Sequence, residues 1–257
     1  MFQNKKIIIA NWKMNPATLE EAKTLAVQIS KIIKGVKNVV LVVCPPFVYL
    51  SEVKKTLVKN VNLSLGSQNT FLGSTGSFTG EVSQLMLKNI GCEYIILGHS
   101  EQRVLGETSE QIAEKVQAVI KTGFKAVVCV GEGARDEHGE FWNVLKEQIT
   151  TSLLKVNRPM LKNILIAYEP VWAIGNKNMQ SLDSAKLQET IIFIRKVLAD
   201  MFDQKSAHIP KILYGGSVNT ENVEKLLTEG RADGILLGRE SLKIDHLKEI
   251  FNIAEKI

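Results

Sequence analysis

The chain has 257 residues, 45% of them hydrophobic and 23% charged, a balance that excludes disorder over most of its length. Lys and Arg number 32 against 27 Asp and Glu, and the resulting net charge of +5 suits an anionic metabolite but is too weak to point to nucleic acid. The longest strongly apolar run, Val39 to Cys44, falls far short of the ~20 residues of a membrane helix, and the apolar stretch after Lys6 is too short for a secretory leader. Neither a membrane nor secretion is expected.

In chain order, short apolar, β-branched runs alternate with longer segments of helical period. A predicted strand at Lys6–Ala10 precedes a helical pattern at Leu19–Lys34, and strands follow at Val39–Val43, Leu63–Gly66 and Tyr94–Leu97. Next come a helix at Ser109–Thr122, a strand at Ala126–Val130, a helix at Phe141–Leu154 and a strand at Ile164–Ala167. The pattern continues with a helix at Ser184–Asp203, a strand at Lys211–Tyr214, a helix at Thr220–Glu229, a strand at Gly234–Leu237 and a closing helix. The strands read as continuous apolar runs, as strands buried on both faces do. Eight such units in 257 residues match a (β/α)8 barrel. A doubly wound open sheet is the competing arrangement, which periodicity alone leaves open. No composition break or linker divides the chain, so residues 1–257 are expected to form one domain.

The segment Gln68–Val82 lacks clear periodicity, and its Phe71, Phe78 and flanking glycines predict a structured loop that docks onto something. Three cysteines, Cys44, Cys92 and Cys129, cannot all pair internally and are not spaced as metal ligands. They read as buried free thiols in a reducing, cytoplasmic setting. His138 and His246 lie in polar stretches flanking helices and are expected to be solvated. No glycine-rich nucleotide loop, phosphate-binding loop or acidic metal cluster is present, so no metal, nucleotide or other cofactor is expected.

Parallel barrels gather their chemistry at the carboxyl ends of the strands. Here those ends carry Asn11-Trp12-Lys13, Gly98-His99-Ser100-Glu101, Tyr168-Glu169-Pro170, Gly215-Gly216-Ser217 and Gly238-Arg239. Taken singly, Lys13 reads as a solvated charge, His99 as a structural imidazole, Glu169 as a strand end and Gly215-Gly216 as a tight turn. Their convergence on one barrel end makes an acid–base set, and the turns after the seventh and eighth strands are where barrels commonly hold phosphate.

These blocks resemble the triosephosphate isomerase family. The resemblance also covers Cys44-Pro45-Pro46-Phe47, Gln68-Asn69-Thr70, Phe78-Thr79-Gly80-Glu81-Val82 and, most specifically, Glu169-Pro170-Val171-Trp172-Ala173-Ile174-Gly175. The blocks run in family order from Ile8 to Leu242. The resemblance implies a TIM barrel and a cytoplasmic enzyme of glycolysis and gluconeogenesis that interconverts dihydroxyacetone phosphate and D-glyceraldehyde 3-phosphate. It makes Glu169 the general base, His99 a neutral electrophile and Lys13 a positive charge near the enediolate and phosphate. Asn11 helps to fix the site, with Glu101 in support, and backbone N–H groups near Gly175, Ser217, Gly238 and Arg239 cradle the phosphate. Pro170–Ile174 become the start of a lid. Phe78, Thr79 and Gly80 become the tip of a loop that enters a second copy of the chain, where Thr79 abuts that copy's Asn11 and Glu101. A homodimer is implied, with a tetramer left open.

The sequence departs from the family pattern in three places. Gly175 is followed by Asn176-Lys177-Asn178-Met179-Gln180, where the family usually has Thr-Gly-Lys. Arg239 stands for a second glycine, and its side chain is expected to turn outward, to solvent or to Glu240. Gln102 stands for the first of two arginines, so an interface pair with Glu81 is either absent or supplied by Arg103. Two other readings are weighed. An aldolase would need a Schiff-base lysine inside a strand, and Lys13 lies just past one. A silent scaffold would not be expected to keep Lys13, His99 and Glu169 together.

Overall fold

The computed structural model describes residues 5–173 and 182–257. Eight parallel strands close into one barrel in sequence order: β1 (Lys6–Asn11), β2 (Val39–Cys44), β3 (Leu63–Ser67), β4 (Tyr94–Leu97), β5 (Lys125–Val130), β6 (Ile164–Tyr168), β7 (Lys211–Tyr214) and β8 (Gly234–Leu237). The ring closes where β1 pairs with β8 in the register Ile7 to Gly234 through Ala10 to Leu237. The open sheet weighed from the sequence is thereby excluded.

Alternate residues of each strand face opposite ways. Ile7, Ile9, Val40, Val42, Ile96 and Val127 belong to the cluster that fills the barrel. Their neighbours Ile8, Leu41, Ile95 and Val128 pack against the surrounding helices. Both faces are dry, which is why the strands read as unbroken apolar runs. Each such side chain taken out of water contributes about 1.5–3 kcal/mol.

The helices are α1 (Leu19–Ile32), α2 (Leu50–Thr56), α3 (Gln84–Ile90), α4 (Ser100–Val104), α5 (Ser109–Lys121), α6 (Phe141–Ser152), α7 (Ser184–Met201), α8 (Val223–Leu227) and α9 (Ile244–Ala254). α1 and α5 each begin in a reciprocal cap, Thr18 with Glu21 and Thr108 with Gln111. α8 is shorter than the Thr220–Glu229 pattern predicts. The Asn219 side chain accepts the backbone N–H of Glu221 and Asn222, and Asn222 accepts that of Asn219, so these residues form a turn instead of helix. Just beyond α9, Glu255 accepts the backbone N–H of Lys37 at 2.7 Å and of Asn38 at 2.9 Å, clamping this segment to the start of β2.

The loop after β3 is structured, as predicted. Phe71 donates its backbone N–H to the Val82 carbonyl at 2.8 Å, and the Phe71 and Phe78 rings lie 4.5 Å apart. Its tip residues Phe78, Thr79 and Gly80 are exposed. All three cysteines are buried and unpaired. Among the described residues no helix is long and apolar enough to cross a membrane.

Candidate active site

Asn11, the last residue of β1, is buried and shapes the turn into Lys13. Its Oδ1 accepts the backbone N–H of Lys13 at 3.0 Å. Lys13 adopts φ 53°, the left-handed region that a side chain disfavours. A second bond holds it there: Gln68 Nε2 donates to the Lys13 carbonyl at 2.8 Å and to that of Cys44 at 2.9 Å. So held, the Lys13 ammonium lies 2.7 Å from Oε1 of Glu101. Its alkyl stem crosses Gly238, where a Cβ would come within 3.3 Å of Cε. The turns after β1 and β8 therefore meet over a glycine.

His99 follows β4, is buried, and caps α4. Its Nδ1 accepts the backbone N–H of Glu101 at 3.2 Å, so a lone pair stands there and the neutral ring carries its proton on Nε2. That nitrogen faces Oε1 of Glu169 at 3.2 Å. Glu169 follows β6, and its side chain is only 2% exposed. Oε2 accepts the Ser100 N–H at 3.1 Å, whereas among the described residues Oε1 is buried with no hydrogen bond, only the close approach of His99 Nε2. A buried acceptor left unmatched is costly and rare, and here it marks the place where a reacting group belongs. Gly215, at the end of β7, permits this packing: a Cβ there would stand 2.8 Å from Cγ of Glu169. Behind the carboxylate lies Cys129, whose thiol is pushed well above its ordinary range by burial and by the Glu169 charge. It is a packed thiol, not a nucleophile.

The phosphate end is described in part. The Ser217 hydroxyl donates to the Ala173 carbonyl at 2.6 Å, so it braces the segment after β6. Gly175 and the departures at 176–180 lie outside the described residues, as does Ile174 at the far end of the expected lid. Arg239 is exposed. Its neighbour Glu240 is taken up by Lys243 at 2.8 Å and by Nδ1 of His246 at 2.5 Å. His246 is thus half-buried in an ion pair and not simply solvated as expected, whereas His138 is exposed.

Arg103 is held within the chain: its guanidinium donates to the carbonyls of Gly98 at 2.9 Å and Cys129 at 3.0 Å and to Ser109. It props up the end of β4. Gln102 accepts a bond from Asn69 at 3.2 Å.

Sequence reasoning missed two supports. One is the double bond of Gln68. The other is Glu132 after β5, whose Oε1 accepts from the Tyr168 hydroxyl at 2.8 Å, Trp172 Nε1 at 3.0 Å and Arg135 Nε at 3.0 Å. This network anchors Val171–Ala173, the first turn after Glu169. A glutamate just past a strand end was the available signal.

Fold and site together define a class: a (β/α)8 barrel with a carboxylate, an imidazole and an ammonium gathered where the strands end. The family description that matches the sequence is triosephosphate isomerase, over residues 6–254. The triosephosphate isomerase of Geotalea uraniireducens is 40% identical over 253 residues, 98% of this chain and 99% of that protein. That of Dehalococcoides mccartyi is 40% identical over 249 residues, 96% of this chain and 95% of that protein. That of Dictyoglomus thermophilum is 38% identical over 241 residues, 93% of this chain and 95% of that protein. The chain belongs to the triosephosphate isomerase family.

Proposed function

We propose that this chain interconverts dihydroxyacetone phosphate and D-glyceraldehyde 3-phosphate. The observation that carries the reading is Oε1 of Glu169, buried with no hydrogen bond among the described residues and 3.2 Å from Nε2 of His99. Glu169 takes a proton from the carbon beside the carbonyl and returns it to the next carbon. The enediolate formed between these steps concentrates charge on the two oxygens, and donors must already point there. The N–H at His99 Nε2 serves them in turn. The ammonium of Lys13 supplies positive charge, held by its backbone contacts and by Glu101. A carboxylate is a weak base in water, and exclusion of water on substrate binding strengthens it. Asn11, Gly175, Ser217, Gly238 and Arg239 serve the phosphate end, and no cofactor or metal enters the scheme.

The active form is a cytoplasmic homodimer built from one-domain barrels. Met14, Val48, Phe78 and Met86 are apolar and exposed, and all lie on the segments that come after the neighbouring strands β1, β2 and β3. Exposed apolar side chains on neighbouring segments of this kind fit a second copy. A coupled isomerase assay on the purified protein tests the reaction, and its absence would overturn the reading. Borohydride trapping with substrate separates it from an aldolase, which alone would be trapped.

A further inference from the structure

Glu240 has no part in the chemistry above, yet its carboxylate joins the turn after β8 to Lys243 and to the start of α9. We propose that Glu240 is a positioning residue that fixes the turn carrying Gly238 and Arg239 for a phosphate dianion; this rests on the phosphorylated substrate inferred above. β8 ends at Leu237, and the chain folds back at once into a 3-10 turn, Arg239–Leu242. The turn is tied to its own start, since Ser241 donates its backbone N–H to the Gly238 carbonyl at 2.9 Å and its hydroxyl at 2.6 Å. These bonds shape the turn but do not orient it on the barrel.

Glu240 does that. One carboxylate oxygen takes the ammonium of Lys243 at 2.8 Å, and the other takes Nδ1 of His246 in the first turn of α9 at 2.5 Å. Burial pushes the Glu240 carboxyl up, yet its contacts with Lys243 and His246 together hold it below its usual range. α9 packs into the core through Leu247, Ile250 and Phe251, so His246 stands on a rigid element. Glu240 therefore transmits the position of α9 to the turn, and through Gly238 to the stem of Lys13 resting on it. A carboxylate next to a dianion site would otherwise repel its ligand. With the Lys243 ammonium on one oxygen and the His246 ring on the other, it can serve as a tether at less of that cost.

Glu240→Ala, Glu240→Gln and His246→Gln are compared with the unaltered enzyme. Two readouts are used, steady-state isomerase kinetics and titration calorimetry with inorganic phosphate as the probe. Removal of the tether in Glu240→Ala should raise KM and weaken phosphate binding by about five-fold or more, with kcat changed far less. Glu240→Gln, which still accepts from Lys243, should recover most of the loss. His246→Gln, at a half-exposed position that threatens folding least, should shift both quantities in the same direction by about two-fold or more. Unchanged phosphate binding in Glu240→Ala and His246→Gln would overturn the proposal, and so would a fall in KM, which would make Glu240 only a repelling charge. If the unaltered protein neither isomerises nor binds phosphate, the functional reading itself fails, a result distinct from either.

Discussion

Nε2 of His99 stands 3.2 Å from Oε1 of Glu169 although the two residues leave the barrel on β4 and β6, with β5 between them. Closure of the sheet brings the strand ends around one centre, and among the described residues the buried carboxylate oxygen makes no hydrogen bond there. An acid and a base held this way need little rearrangement before they act.

The length of the Glu169 side chain should therefore matter as well as its charge. Glu169→Asp withdraws the carboxylate by about one methylene, and misplacement of ~1 Å can cost ~100-fold. A strong loss in kcat with KM little changed is expected from steady-state kinetics. Near-normal kcat would remove Glu169 from the role of base.

Gly215 tests the same geometry from behind. The added methyl of Gly215→Ala would meet Cγ of Glu169 at 2.8 Å, too close to be accommodated without movement. The carboxylate should be pushed off its line, with kcat lowered by about ten-fold or more. A fully active variant would show that the carboxylate tolerates displacement.

Deletion of Phe78-Thr79-Gly80 should give monomers of much reduced activity. These tip residues are exposed on a loop that is already self-supporting, so the barrel should survive their loss. Sedimentation beside the assay decides the matter. A fully active monomer would mean that each chain completes its own site.

Arg239→Gly should alter KM by less than ~3-fold at moderate salt. The side chain is exposed, and the backbone donor of the turn is kept. A loss of ten-fold or more in phosphate affinity would place the guanidinium on the substrate.

Burial pushes the Cys92 thiol from its ordinary 9.0 up to about 12. An acid that holds its proton more tightly in the fold than in the unfolded chain supports the fold fully below its unfolded value. That support is lost as pH rises from about 9 to about 12. The urea midpoint should fall across that window, and the fall should be shallower in Cys92→Ala. Equal slopes in the two proteins would refute the assignment.

The strands were legible because burial on both faces leaves an unbroken apolar run, and each predicted strand lies within a residue of its observed limits. α2 and α3 escaped notice because each spans only seven residues, too few turns to establish a period. Lys13, His99 and Glu169 were legible from their place after strands. Gln68 and Glu132 also stand just past strands, but they act through bonds to residues 24 to 55 positions away, which the surrounding sequence does not show. His246 read as a solvated residue for a different reason. Its partner is the neighbouring segment's Glu240, and a histidine in a polar stretch looks alike whether paired or free.

The pairing of β1 with β8 bears on how the molecule is made. β1 emerges from the ribosome before the other seven strands, but the edge that covers it, Gly234–Leu237, emerges after all of them. Until then every growing chain carries a sheet with two bare edges, one of which is the apolar Ile7–Ala10. Edges of this kind recruit other chains. A ribosome that stalls before Gly234 therefore leaves a chain inclined to aggregate, and a chain that passes it can close on itself.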